Sequence, residues 1–491
     1  MADAGLTALA PLLLLGGWAC GLLLIDAFVP PKRKGITAAL AAAGLIASLV
    51  TLVAQPSPGV CAAPGVTAAC FSGMIRADGF AVALQALVLV TSLTVIALGF
   101  DYLQWTGLER GEFYILLLFA AVGMMLMAVA ADLIIVFLAL ELLSIPLYVL
   151  AGFARPRIES EEASMKYFLL GAFASGFVVY GVALVFGATG TTQLDTIAEA
   201  ARSGVASPGL LLAGAGLVLV GLGFKVAAVP FHMWTPDVYH GAPSVVTAFM
   251  SVGAKAGGFA GLLRVFLTAF PDQAAAWAPV MMAVAALTMT WGNVAAIGQS
   301  NVKRLLAYSS IAHAGYILMA LPAAADPRLA GEATRAALFY LLAYAATNLG
   351  AWGVVLAVER AEGKGLQIAD YSGLASRRPG LALAMALFML SLTGVPPTAG
   401  FLAKFYLFQV VLDAGLIWLA LVGVVTSLIS AYYYLRVVVV MYMRSGEPET
   451  RRNRWLSASV TLTALVTFAL GVLPGPAVTF LQQTTFFGRI P

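Results

Sequence analysis

Charge is what this sequence has least of. Asp, Glu, Lys and Arg make up only 10% of its 491 residues, against about a quarter in soluble domains, while 61% are hydrophobic. A soluble enzyme is excluded on that ground. Cysteine is almost absent too: Cys20, Cys61 and Cys70 form no CxxC and no metal-ligand spacing, which removes zinc and iron–sulfur sites. Cys20 reads as a small apolar helix residue. Cys61 and Cys70 flank a Pro/Gly/Ala-rich loop on the outer side of the topology below, where a disulfide is allowed. The pair stays open between bridged and free.

No GxxxxGK[ST] occurs, nor a GxGxxG in strand–helix context, so nucleotide and nicotinamide chemistry belong to other chains. A formal charge of +4, with basic residues in short clusters, offers no face for nucleic acid. The first apolar run, 6–29, lacks a basic residue ahead of it and is followed by Pro30, Pro31, Lys32, Arg33 and Lys34. That is the reverse of a cleaved secretory signal, so a retained helix with its N-terminus outside is expected.

What is present is a succession of apolar runs of helical length. They fall near 6–29, 36–54, 77–100, 113–130, 132–153, 163–187, 208–238, 244–268, 277–298, 303–321, 333–358, 381–411, 415–442 and 456–475. The expected fold class is an all-α membrane protein of about fourteen transmembrane helices, with one membrane domain over 1–491. If the N-terminus is outside, inner loops hold 17 of the 27 Lys and Arg residues and outer loops hold 5. This excess sets the orientation by the positive-inside rule, with both termini outside.

Two runs, 208–238 and 381–411, are too long for plain spans. They carry Pro230 and the pair Pro396 and Pro397, which predict breaks because proline cannot donate to the helix and crowds the preceding turn. The breaks lie five helices apart, an odd number, so the units around them would have opposite topology, as in inverted-repeat transporters. Gly223, Phe224 and Lys225 near the first break echo Gly400, Phe401 and Lys404 near the second.

Ionisable residues inside spans are rare and mark pathways or pairs. Glu141 sits mid-run in the fifth helix, Lys225 beside Pro230, Lys255 among small residues and Lys404 about two turns beyond Pro396 and Pro397. Each is open to two readings, a structural counter-ion or a proton carrier. Three lysines facing a single glutamate argue against simple pairing. His313, near the middle of its span, suits either a satisfied core position or a relay. His232 and His240 read as interfacial, with a role in proton uptake open, and Arg264 and Arg436 as snorkelling from near helix ends.

Four segments then carry a resemblance: LELLSIPLYVLAGF around Glu141, KVAAVPFHMWTPDVYHGAPSVVTAF from Lys225, NVKRLLAYSSIAHAGY from Asn301 and SLTGVPPTAGFLAKF from Ser391. They resemble the antiporter-like membrane subunits of respiratory complex I (NADH:quinone oxidoreductase), most nearly the NuoN type, over nearly the whole chain. Val245 departs from a proline common in the pattern. Lys404, in place of a glutamate, sets the chain apart from the NuoM type, and its end soon after helix fourteen from the NuoL type.

The resemblance implies two inverted five-helix repeats, 113–268 and 277–442, each with a broken helix. It further implies that Glu141 and Lys225 form a paired site, that Lys255 and His313 belong to a central hydrophilic axis, and that Lys404 is the second-half lysine. NADH, FMN, iron–sulfur clusters and quinone would be held by other subunits, with no cofactor in this chain. NuoM-, NuoK- and NuoL-like neighbours, the peripheral arm and the lipid of a bacterial inner membrane are the partners implied. A subunit of a multi-subunit cation/proton antiporter and a structural anchor with paired lysines are the alternatives.

Overall fold

The computed structural model describes residues 2–55, 71–360, 363–451 and 453–483. Cys61 and Cys70 lie outside the described residues, and Cys20 is a free, exposed thiol. The first crossings are α1 (Ala2–Asp26), α2 (Gly35–Val53), α3 (Gly79–Trp105), α4 (Gly111–Val129), α5 (Leu133–Ala151) and α6 (Ile158–Thr189). After the short α7 (Leu194–Arg202), α8 (Pro208–Val226) stops early and α9 (Trp234–Gly241) continues its path. Next come α10 (Ser244–Ala269), α11 (Ala274–Ile297), α12 (Val302–Ala323) and α13 (Ala330–Val358). The chain continues with α14 (Pro379–Thr393), α15 (Ala399–Asp413), α16 (Ile417–Met443), α17 (Arg454–Val472) and α18 (Gly475–Gln483). Thirteen spans among the described residues are long and apolar enough to cross a membrane, and α14 is a shorter apolar helix. The chain is an all-α, multi-pass membrane protein, as expected.

Several helices start where side chains take up the first free N–H groups. Asp78 accepts from the Ala81 amide (2.9 Å), Asp132 from Ile134 (2.7 Å), and Asn301 from Lys303 and Arg304 (2.9 and 3.2 Å). Burial then sorts the helices. The α10 span is buried throughout its apolar window and α12 and α13 nearly so, whereas α6 and α17 expose Phe173, Leu169, Leu462 and Leu465 outward. Small residues permit the tight contacts of the interior: a methyl on Gly123 would come 2.3 Å from the Leu143 amide, which is why α4 and α5 can touch backbone to backbone.

Both anticipated breaks are present, with altered limits. The run expected at 208–238 ends as a helix at Val226, where Ala227 adopts a left-handed conformation (φ 63°), and Pro230 lies in the turn before α9. Lys225 therefore stands in the last turn of a half-helix and not far from any end. In 381–411, α14 stops at Thr393, Gly394 turns with φ 93°, and Pro396 and Pro397 lead into α15. Gly400 presses on the preceding half-helix, since a methyl there would sit 1.8 Å from the Ser391 carbonyl oxygen.

Arg264 corrects the snorkelling expectation. It is fully buried and forms a forked ion pair with Asp78, one arm at 2.8 Å, and also donates to the Ala128 carbonyl at 2.7 Å. The side chain clamps α3, α4 and α10 together, a partnership invisible from α10 alone. Arg436 does reach toward a helix end, donating to the Ile297 carbonyl (3.0 Å) and to that of Gln299.

Two stability outcomes follow. Arg264→Met, which leaves Asp78 buried and unpaired, is expected to destabilise the protein by roughly 3 to 5 kcal/mol, read as a lowered unfolding midpoint in detergent. Gly400→Ala is expected to cost roughly 1 to 3 kcal/mol through overpacking at the break. Gly380→Ala, which meets nothing within 4 Å, serves as the control and should leave the midpoint unchanged.

Candidate functional site

Lys225, Lys255, His313 and Lys404 are all buried in the helix bundle, each at most 5% exposed. Lys225 donates to Ser144 Oγ (2.8 Å) and Tyr167 OH (3.0 Å), with the Tyr167 ring 5.3 Å from its ammonium. Tyr167 is fixed by stacking on Trp234 at 4.5 Å, and the Trp234 indole donates to the Phe224 carbonyl at 3.0 Å. That last bond adds a second donor to a carbonyl in the final turn of α8, which also accepts from the Ala227 amide at 3.1 Å, so the break and the lysine's aromatic wall are built from one set of residues.

Glu141 is not in ion-pair contact with Lys225. It is half-buried at the α5–α6 surface and accepts a short hydrogen bond from Ser175. Ser144, one turn further along α5, is the group that touches the lysine, and it also donates to the Leu140 carbonyl at 2.5 Å. The two residues that the resemblance implies as a paired site thus share a neighbourhood at α5, Glu141 through Ser175 and Lys225 through Ser144.

Lys255 follows a π-helical turn over Met250–Ala254, a backbone irregularity often found at functional positions. Its ammonium donates to the Ser310 carbonyl on α12. One turn on, Gly258 lies against Lys225, whose Cγ would be 3.4 Å from an added methyl. The first two lysines are therefore packed on the same stretch of α10. His313 is held from both ring nitrogens, Nδ1 to Tyr340 OH at 2.7 Å and Nε2 to Tyr434 OH at 3.2 Å. Tyr434 in turn meets Ser309 Oγ at 2.5 Å.

Lys404 folds back onto the end of α14. It donates to the Leu392 and Thr393 carbonyls (3.1 and 2.8 Å) and to Ser427 Oγ (2.7 Å), with the Tyr316 ring 4.8 Å away. Helix C-termini carry partial negative charge and attract cations. Both break lysines therefore lie at the C-terminal end of a half-helix, Lys225 from within it and Lys404 from across the gap. Tyr316 continues through Thr426 (3.3 Å) and Asn293 (3.1 Å) to Tyr433 (2.9 Å). None of these four bases has a carboxylate in ion-pair contact among the described residues.

Sequence reasoning missed the hydroxyls that join these bases. Ser144 has a signal in hindsight, one turn from Glu141, but Tyr167, Tyr340 and Tyr434 look like ordinary aromatic core. It also missed Lys303, the first residue of the expected run 303–321, which is only 2% exposed and donates to the Ala242 carbonyl at 2.6 Å. On the same face Asp237 binds Lys166 (2.7 Å) and Arg304 (2.9 Å). Partial burial acts to raise the Asp237 carboxyl, but the hydrogen bonds from these two bases outweigh it and hold it below the usual carboxylate range. For His240, burial first and then the charges of Lys303 and Arg304 hold the imidazole below its ordinary range.

Among known proteins, the family described as NADH:quinone oxidoreductase/Mrp antiporter, TM, matches residues 130–430, which include all five site positions. NADH-quinone oxidoreductase subunit N of Chloroflexus aggregans is 48% identical over 485 residues, covering 98% of this chain and 97% of that protein. A chain of respiratory complex I from Thermus thermophilus with bound aureothin has a TM-score of 0.79 at 35% identity, covering 97% of this chain and 100% of that one. A chain of the Mrp complex from Dietzia sp. shares the fold, with a TM-score of 0.81 at 22% identity over 99% of this chain and 97% of its own. On its sequence, its broken helices and these relatives, the chain belongs to the subunit N family of NADH-quinone oxidoreductase, within the antiporter-like membrane proteins.

Proposed function

We propose that this chain is a proton-translocating membrane subunit of NADH:quinone oxidoreductase, working without a redox centre of its own. The observation that carries the reading is the series of buried bases, Lys225, Lys255, His313 and Lys404, held by hydroxyls and carbonyls in place of carboxylates. A base held by neutral acceptors can give up its proton without stranding a buried anion. Protons pass from Lys225 through Lys255 and His313 to Lys404 and then outward. Glu141, half-exposed at the edge of the bundle, senses charge in the neighbouring subunit and biases Lys225 from a distance. Moving one charge against 100 mV needs about 2.3 kcal/mol, within reach of a rearranged desolvated charge.

In this reading 113–268 and 277–442 are the two inverted repeats, with the breaks after Lys225 and before Lys404 as counterparts. The face bearing Lys32 to Lys34 and Arg451 is cytoplasmic, both termini are periplasmic, and the membrane is the bacterial inner membrane. NADH, FMN, iron–sulfur clusters and quinone are bound by partner subunits, reached through NuoM-, NuoK- and NuoL-like neighbours. The fold shared with the Mrp complex chain favours one other reading, a cation/proton antiporter subunit. Copurification with flavin- and iron–sulfur-bearing subunits separates the two, since recovery with membrane antiporter subunits alone selects the antiporter.

Lys225→Ala and Glu141→Gln are expected to lower proton uptake into vesicles while the complex assembles. Lys225→Arg is expected to fail equally, because arginine keeps its proton at any accessible pH. Full pumping by the arginine variant, with the alanine variant lost to misassembly, would identify a structural charge instead. Orientation is checked with a single cysteine placed in the Arg451 to Arg454 loop, expected to react with an impermeant thiol reagent from the cytoplasmic side alone.

A further inference from the structure

A cavity of about 100 Å³ opens at the face of the α5–α6 and α11–α12 turns, lined by Arg157, Glu159, His240, Lys303 and Glu359. Glu359, which follows α13, is 2% exposed. One carboxylate oxygen accepts from Tyr102 OH at 3.3 Å, and the other has no hydrogen-bond partner. His240 Nδ1, Ser244 Oγ and Tyr371 OH are likewise buried without a partner. No ion pair joins Glu359 to Lys303 among the described residues, although both charges face the same space. Buried polar groups in folded proteins are hydrogen-bonded, and a cavity of this size, lined with polar atoms, admits several waters. A structural ion pair would leave neither the space nor the unused hydrogen-bonding capacity.

The same pattern continues inward. Tyr239, next to His240 on α9, and Tyr344 on α13 both lie beside the Ser310 hydroxyl, and all three groups are buried. The Tyr344 ring is 5.0 Å from His313, and the carbonyl of Ser310 holds Lys255. Lys303, Ser310 and His313 are spaced seven and three residues apart, which places them on one face of α12 over about 15 Å. Buried hydroxyls therefore mark a line from the cavity to the central bases that avoids Lys225.

We propose that this cavity is a proton-uptake antechamber, in which Glu359 and His240 take protons from water and pass them through Tyr239, Ser310 and Tyr344 to Lys255 and His313. A hydronium gives its proton to the free carboxylate oxygen or to Nδ1 and leaves as water. Each hydroxyl donates one proton forward as it accepts one from behind, so none retains a charge. Lys303 and Arg157 offset the negative charge of Glu359 and Glu159 between transfers. The inference rests on the proton-carrier reading and adds to it a second route of supply.

The test uses the assembled complex in vesicles, with proton uptake measured per NADH oxidised, for Glu359→Gln and Lys225→Ala side by side. Each is expected to lose the share of uptake that its own route supplies, a partial loss in either variant with the remainder carried by the other route. Parental uptake in Glu359→Gln, with Lys225→Ala impaired, overturns the antechamber and leaves the carrier reading standing. Parental uptake in Lys225→Ala overturns both. Should Glu359→Gln not assemble, His240→Gln decides in its place: loss of uptake supports the antechamber, and parental uptake overturns it.

Discussion

A lipid core donates and accepts no hydrogen bonds, so any backbone group released from a helix inside it must find its partner within the protein. The two broken helices are where this constraint binds, and much of the interior is arranged to meet it. At the end of α8, the Phe224 carbonyl is taken by the Trp234 indole and the Gly223 carbonyl by the Ala228 amide. At the end of α14, the Leu392 and Thr393 carbonyls are taken by the Lys404 ammonium. The charged groups are thus part of the solution to the backbone problem. A cation at a helix C-terminus satisfies carbonyls and meets the partial negative charge gathered there.

Between the breaks runs an interior of hydroxyls and imidazole. Tyr167, Tyr340, Tyr434, Ser144 and Ser309 are both donors and acceptors, so each can turn its hydrogen bond around without changing charge. Carboxylates are kept to the margins: Glu141 at the half-buried edge, Asp78 locked by Arg264, and Glu359 beside a cavity. This segregation keeps mobile positive charge apart from fixed negative charge, which would otherwise trap it.

The breaks and the buried bases were legible in the sequence because proline and lysine are conspicuous in apolar runs. Lys225, Lys255, His313 and Lys404 all occupy the interior that their positions suggested. What escaped was relational. Arg264 looked like an end-of-helix cation because its partner, Asp78, lies 186 residues earlier on another helix. The resemblance implies a paired site of Glu141 and Lys225, and sequence supplies the charges but no rotation of α5 against α8. Lys303 gave no signal because sequence does not show whether a helix's first turn is wet or dry, and here the cap at Asn301 starts the helix with that lysine already buried. The tyrosines carried no signal, being as suitable for packing as for proton relay.

The complete burial of α10 bears on how the protein is made. Its span is among the least apolar of the crossings and carries both Lys255 and Arg264, groups that an isolated helix pays heavily to bring into lipid. Such a segment gains its place in the bilayer from its neighbours, with Asp78 on α3 and the Ala128 carbonyl on α4 already waiting to receive Arg264. Earlier helices thus act as an intramolecular receptor for a later one, and membrane insertion of this chain is coupled to its folding in the order in which it is synthesised.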